Sequence, residues 1–295
     1  MKKIAVVTDS GACVPADLVR KYHIHVVPFQ LVWDGKSYRD GIDITPSEFY
    51  QRLRKSTSLP TTSQPALGEF AALYARLGQE AEGIVSIHAS GELSATLHTA
   101  QLAAEQASPV PVRVIDSRVG AAAEGFVVLA AARAAAAGSN LEEVAAAAKA
   151  TIPRVGLFAT LETLEYLHRG GRIGEAAALL GSKLHVHPIL YLSDGRVKVA
   201  GVTHSRRKAM ERILDLMADW VGEHPLCISV FHADALQEVE WVEAKVRSRF
   251  DCNEYYLTEL TPVMGAHTGP GVIGLAFCAR EEKSKILTRK EGSSD

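Results

Sequence analysis

Hydroxyls gather twice in this sequence at places where the chain has to turn. Ser86-Ile87-His88-Ala89-Ser90-Gly91-Glu92-Leu93-Ser94-Ala95-Thr96 passes from an apolar run through small polar residues into an Ala-rich helical pattern, which reads as strand, loop and helix start. A helix's first turn offers free N–H groups and partial positive charge, so with its hydroxyls this stretch is a receptor for a carboxylate or a phosphate. The second gathering is Pro60-Thr61-Thr62-Ser63-Gln64-Pro65, too rich in proline for helix or central strand. It is expected as an ordered loop whose three hydroxyls and one amide can also hold an anion. His267 stands in Gly265-Ala266-His267-Thr268-Gly269-Pro270-Gly271, the densest turn signal of the chain, expected as a loop.

Ser94 and His267 together have the makings of a nucleophile and its base, which would be a serine hydrolase. No Gly-x-Ser-x-Gly elbow surrounds the serine, however, and no acid is evident to orient the imidazole. Asp9 and Asp116 each precede a serine at a strand end, where a carboxylate serves its own turn without any chemistry. No Gly-x-x-x-x-Gly-Lys-[Ser/Thr] occurs, so the chain shows no ATP site of its own. Each hydroxyl also has a plainer role: Ser94 as a helix cap, Thr62 as a brace for its loop.

The elements that must position these residues follow from the pattern. Ile4 to Val7 is a short apolar run suited to a buried parallel strand, ending at Asp9-Ser10-Gly11. Thr45-Pro46-Ser47-Glu48 is a capping box before a helix through Leu53. Helices around Phe70 to Leu77, Ala95 to Ala107 and Ala121 to Ala137, and one capped by Ser139 or Asn140 and running through Ala150, alternate with strands at Ile84 to Ile87 and Val112 to Ile115. That alternation predicts a doubly wound, mainly parallel α/β domain over residues 1–153, with ligands outside the carboxyl ends of its strands. Residues 154–280 differ in texture. A helix over Leu161, Leu164 and Leu167 stops at Gly170-Gly171, and Ile173 restarts one. Pro188 to Leu192 and Arg196 to Val202 form a hairpin about Asp194-Gly195, and an amphipathic helix follows from Arg206 to Val221. This predicts an α+β second domain with a mixed sheet; residues 281–295, charged and polar, are expected as a flexible tail.

At 295 residues, two domains are the natural division. A formal charge of −2, with 47% hydrophobic and 22% charged residues, gives no basic surface for nucleic acid or membrane. No apolar run reaches the roughly 20 residues of a membrane span. Four cysteines lie far apart without a Cys-x-x-Cys pair, so neither a metal site nor a disulfide framework is expected, and a reducing cytoplasm fits.

Five motifs in register resemble one family. Val7-Thr8-Asp9-Ser10, Thr62-Ser63-Gln64-Pro65, Leu93-Ser94-Ala95-Thr96, Gly170-Gly171-Arg172-Ile173 and Gly265 to Gly271 are similar to the DegV family, whose better-understood members are the fatty-acid-binding subunits of bacterial fatty acid kinase. The resemblance spans about residues 3 to 280. It implies two domains that enclose one long-chain fatty acid with its carboxylate at their interface, and a separate ATP-binding kinase subunit that makes the acyl phosphate. The chain would then be a substrate-binding subunit without catalytic residues or cofactor. Carried over by position, the carboxylate ligands would be Thr62, Ser94 and His267, with Ala95 and Thr268 beside them; Arg172 and Arg206 would serve the kinase and its phosphate. Ala95 stands where the family usually has glycine, and His204 where arginine is common. A lipid-sensing protein without turnover is the other implied possibility.

Overall fold

The computed structural model describes residues 3–180, 186–222 and 225–279. The expected tail at 281–295 therefore lies outside the described residues. In the first half the order is β1 (Lys3–Asp9), α1 (Ala16–Lys21), β2 (His25–Val27), β3 (Gln30–Trp33), β4 (Lys36–Arg39), α2 (Pro46–Leu53), β5 (Thr61–Ser63), α3 (Leu67–Leu77), β6 (Ala81–His88), α4 (Thr96–Ala107), β7 (Val112–Asp116), α5 (Ala121–Ala136) and α6 (Leu141–Thr151). The second half holds β8 (Val155–Thr160), α7 (Glu165–Arg169), β9 (His187–Ser193), β10 (Arg196–Thr203), α8 (Arg206–Val221), β11 (Leu226–His232), α9 (Leu236–Arg249), β12 (Cys252–Glu259), α10 (Pro262–Thr268) and β13 (Ile273–Cys278).

Period-two alternation in β1 and β6 sends side chains to two cores, which is why the first sheet is doubly wound. Ile4, Val6, Val85 and Ile87 face α5 and α6, whereas Val7 and Ile84 face Phe70 and Tyr74 of α3 and Ala100 of α4. The strands are parallel in the order β2-β1-β6-β7, so the chain reverses its winding direction between β1 and β6. Loops at such a reversal form a crevice. The turn after β1 and the loop after β6 both open there, and both reach the site described below.

The second sheet is mixed, in the order β10-β9-β8-β13-β11-β12, with β11 and β12 its parallel pair. The Ala-rich α5 packs against β1 and β6 on one side and β8 and β13 on the other. A helix buried all round between two sheets needs small side chains on every face, and Ala121, Ala122, Ala123, Ala131 and Ala132 supply them. One core therefore runs through both halves, joining Ile4 and Val85 to Leu157 and Ala276.

Four local expectations change. The stretch expected as a loop around Thr62 is β5, an edge strand antiparallel to β3, because three hydroxyl residues free of proline fit between Pro60 and Pro65. β8 is a strand that the pattern did not announce; Gly156 interrupts its apolar run where an added Cβ would meet Phe277 at 2.5 Å. The helix expected from Leu161 starts only at Glu165, and residues 174–179 are 3-10 rather than a restarted α-helix. Gly171 and Gly174, at φ +69° and +53°, break the ladder, and Gly174 lies against the Val197 carbonyl. Finally, the glycine-rich segment around His267 is helical through Thr268, since Thr261-Pro262 starts α10 and its turn begins only at Gly269.

Candidate functional site

Three segments bring the expected hydroxyls and imidazole to one place. β5 is fixed to β3 with Thr62 opposite Leu31, and this delivers Thr62 to the C-terminal turn of α10. There Thr62 Oγ1 lies 2.7 Å from Nε2 of His267. Burial, and then the nearby Arg172 cation, push the His267 pKa down to about 4, so at neutral pH the imidazole carries one proton. Its Nδ1 is buried without a partner. An uncharged Nδ1 acceptor is the cheaper group to leave bare, which puts the proton on Nε2, donated to Thr62. Thr62's own hydroxyl hydrogen is then free. Gly170 is required beside this ring, because a Cβ there would stand 2.3 Å from Nδ1.

The third segment is the loop before α4. Ser94 N–H and Leu93 N–H donate to the Ser90 carbonyl at 3.0 and 2.9 Å, curling the loop into the helix. Ala95, at φ −75° and ψ 1°, occupies the N-cap position with no side-chain cap, a backbone shape alanine adopts without strain. The missing glycine is thus accommodated. Ser94 is not the N-cap itself; its Oγ accepts from Thr96 N–H at 3.2 Å and lies 2.8 Å from Thr96 Oγ1. Thr96 is fully buried, so its hydroxyl must donate to Ser94, which leaves Ser94's hydrogen free as well.

These groups close the polar end of a cavity of about 1210 Å³ of atom-free space, its mouth included. Thr62, Gln64, Ser94, Ala95, Arg172, His267 and Thr268 line that end. The remaining wall is apolar and comes from both halves: Gly11, Phe29, Ala89 and Ala121 from the first, Leu157, Ala159, Leu190, Leu192, Phe231 and Met264 from the second. Thr268 donates its hydroxyl to the Met264 carbonyl at 2.9 Å and so has no hydrogen to offer a ligand. Arg172 is exposed at the mouth, donating from Nε to the Leu93 carbonyl at 3.0 Å and from Nη1 to the Gly170 carbonyl at 2.6 Å. It joins the loop before α4 to the end of α7. Arg206 is not brought here: at the start of α8 it pairs with Glu238 at 2.5 Å.

Sequence reasoning missed the support beneath these loops. Asp9 accepts from His88 Nδ1 at 2.9 Å and from Gly11 N–H at 3.0 Å, and Ser86 Oγ lies 2.7 Å from His88 Nε2. Serine, histidine and aspartate stand in the order of a catalytic triad. All three are 0–1% exposed, so no substrate meets them. Their bonds instead hold the turns after β1 and β6, which carry Gly11 and Ala89 into the cavity wall. Among the described residues no group of three or more His, Cys, Asp or Glu is arranged to hold a metal ion, and no helix is long and apolar enough to cross a membrane.

Fold and site together define a two-domain α/β protein built around an apolar cavity with a small polar end made of hydroxyls and an imidazole. The family model for "Uncharacterised protein, DegV family" matches residues 3–280, and the chain belongs to that family. A DegV domain-containing protein of Streptomyces coelicolor is 38% identical over 281 residues, covering 95% of this chain and 99% of its own. Two solved structures are close. A DegV family protein from Thermus thermophilus, reported for its fatty acid binding, has 35% identity and a TM-score of 0.89 over 94% of this chain and 99% of that one. DegV of Bacillus subtilis, named a fatty acid binding protein, has 32% identity and a TM-score of 0.86 over 95% and 100%.

Proposed function

We propose that this chain binds one long-chain fatty acid, with the carboxylate held by Thr62, Ser94 and His267, and presents it to a separate kinase subunit that forms the acyl phosphate. One observation carries the reading: an apolar cavity reaching into both halves ends in a cluster of two hydroxyls and an imidazole, Thr62, Ser94 and His267. The relatives from Thermus thermophilus and Bacillus subtilis, named for fatty acid binding, support it.

Affinity comes from the tail. About 0.8 kcal/mol per buried methylene gives some 15 methylenes on the order of 10 kcal/mol before ordering costs. The head then needs only desolvation cover and orientation. Two hydroxyl donors and an imidazole supply both and leave one carboxylate oxygen open to attack a phosphoryl group, whereas a bidentate arginine would occupy both oxygens. Arg172, exposed at the mouth beside Leu93, is suited to meet the kinase or its phosphate. Arg206 remains a partner residue by family position alone. Residues 1–153 and 154–280 are the two domains that this reading sets around the ligand.

A serine hydrolase finds no support, since no hydrogen bond joins Ser94 to His267 and the imidazole's bonded partner is a threonine. Extraction of the purified protein with mass spectrometry tests lipid binding: a co-purified or added fatty acid should be found, and a chain that takes up none refutes the reading. Coupling is tested by supplying a cognate kinase subunit with ATP. Acyl phosphate should form with wild type and be lost in Arg172→Ala with lipid still bound; no turnover by wild type would leave a lipid-sensing protein.

A further inference from the structure

We infer that Asp40 is a positioning residue for the carboxylate site: it fixes α10, and with it His267, against the turns of the first half without touching the ligand. This rests on the fatty-acid reading of the cavity. Asp40 is 2% exposed and is not part of the cavity wall. Each of its oxygens serves a different segment. Oδ2 accepts from Ser10 Oγ at 2.5 Å, and Ser10 Oγ in turn accepts from Phe29 N–H at 3.1 Å; Oδ1 accepts from Val263 N–H at 2.9 Å. Gly11, Phe29 and Val263, each at or next to one of those bonds, all line the cavity.

The need for this tie follows from α10 itself. Seven residues are too few for a helix to be stable alone, so its orientation depends on what it is fastened to. Pro262 has no N–H, and the Thr261 side chain makes no cap; it lies beside Asp40 and Cys13 instead. Asp40 supplies the missing acceptor from 223 residues away in sequence. Val263 and His267 are four apart and share one helix face, so a carboxylate that fixes the first aims the second. The titratable groups facing Asp40 are Asp9 at the end of β1, Cys13 in the following turn and Tyr50 of α2, none of them a cation.

Displacement of a fluorescent fatty acid by palmitate and by methyl palmitate tests the assignment, since the ester has the same tail but no anionic head. Asp40→Ala should weaken palmitate by about tenfold and leave the ester within twofold. Asp40→Asn keeps an acceptor for Val263 and should lose less. Burial pushes the Asp40 pKa up to about 6, so wild type should lose part of its preference for acid over ester as pH falls through that value. Asp40→Asn, which shares His267 and the ligand's own titration, should lack that step. If Asp40→Ala does not fold, Ser10→Ala carries the same comparison from the other oxygen's partner. Equal weakening of both ligands, or no weakening of either, would overturn the assignment while leaving the fatty-acid reading intact; a wild type that binds neither ligand would overturn both.

Discussion

Ser94 shows how little a side chain would have to do to serve the proposed carboxylate site. Its oxygen is used twice by Thr96, once from the backbone and once from the buried hydroxyl, and only its hydrogen is left over. Ser94→Ala removes that donor and also strands the Thr96 hydroxyl. Palmitate affinity should fall about 10- to 100-fold, the worth of a hydrogen bond to a charged group, while stability falls by only about 1–2 kcal/mol. Titration calorimetry and urea unfolding measure the two; unchanged affinity would remove Ser94 from the site. Ser94, Thr62 and His267 stood out together only through the family motifs they sit in, and the structure brings all three to one cavity wall. Asp40 did not stand out, because a single aspartate before Gly41 reads as an ordinary turn, and its partner Val263 is far away in sequence. The buried Asp9, His88 and Ser86 chain was hidden for the same reason: a serine and a histidine inside an apolar strand have no local signature.

At the scale of elements, α10 carries one buried titrating group, His267, and is tied to a second, Asp40 after β4, and their protons pull in opposite directions. His267 titrates near 6.5 when unfolded and near 4 when folded, so between those values the unfolded chain binds more protons. Stability from this residue is present above about pH 6.5 and is lost as pH falls toward 4, roughly 3 kcal/mol in all. Asp40 rises from 3.8 to about 6, so here the folded chain binds more protons and stability is lost as pH rises through that window, by a similar amount. The two nearly cancel in wild type. His267→Gln should therefore become more stable toward pH 4 relative to wild type, and Asp40→Asn less stable; parallel denaturant midpoints from pH 4 to 7 would show that neither titrates as its burial implies. The helix was not legible, its second half reading as a turn, because glycines needed for space look the same as glycines needed for φ. Gly265 belongs to the first kind: a Cβ there would lie 2.6 Å from the Tyr50 hydroxyl, which donates to the Leu260 carbonyl at 3.0 Å. Gly265→Ala should destabilise by about 1–3 kcal/mol in urea unfolding, as overpacking does; a cost near zero would mean that α2 and α10 separate without loss.

For the molecule as a whole, the alternation of strands and helices made the doubly wound first half readable, and the hairpin with its following helices gave the mixed second sheet. The shared core was not readable. Residues that line a cavity, such as Leu157 or Phe231, have the same apolar character as residues that fill one, and only the space between the sheets distinguishes them. That shared wall leads to a quantitative expectation. If the tail lies along Ala121 on one side and Leu157, Leu190 and Phe231 on the other, each added methylene is taken from water and should raise affinity by about fourfold. A series from decanoate to palmitate should climb in that ratio, with a heat-capacity change that grows more negative at each step. If both halves contact the same tail, a ligand at 100 times its Kd should add about 2.7 kcal/mol to one cooperative transition. A ladder that stays flat from decanoate onward would place the tail outside the cavity, and a thermal transition that splits, with only one half shifting, would show that the tail is held by a single domain.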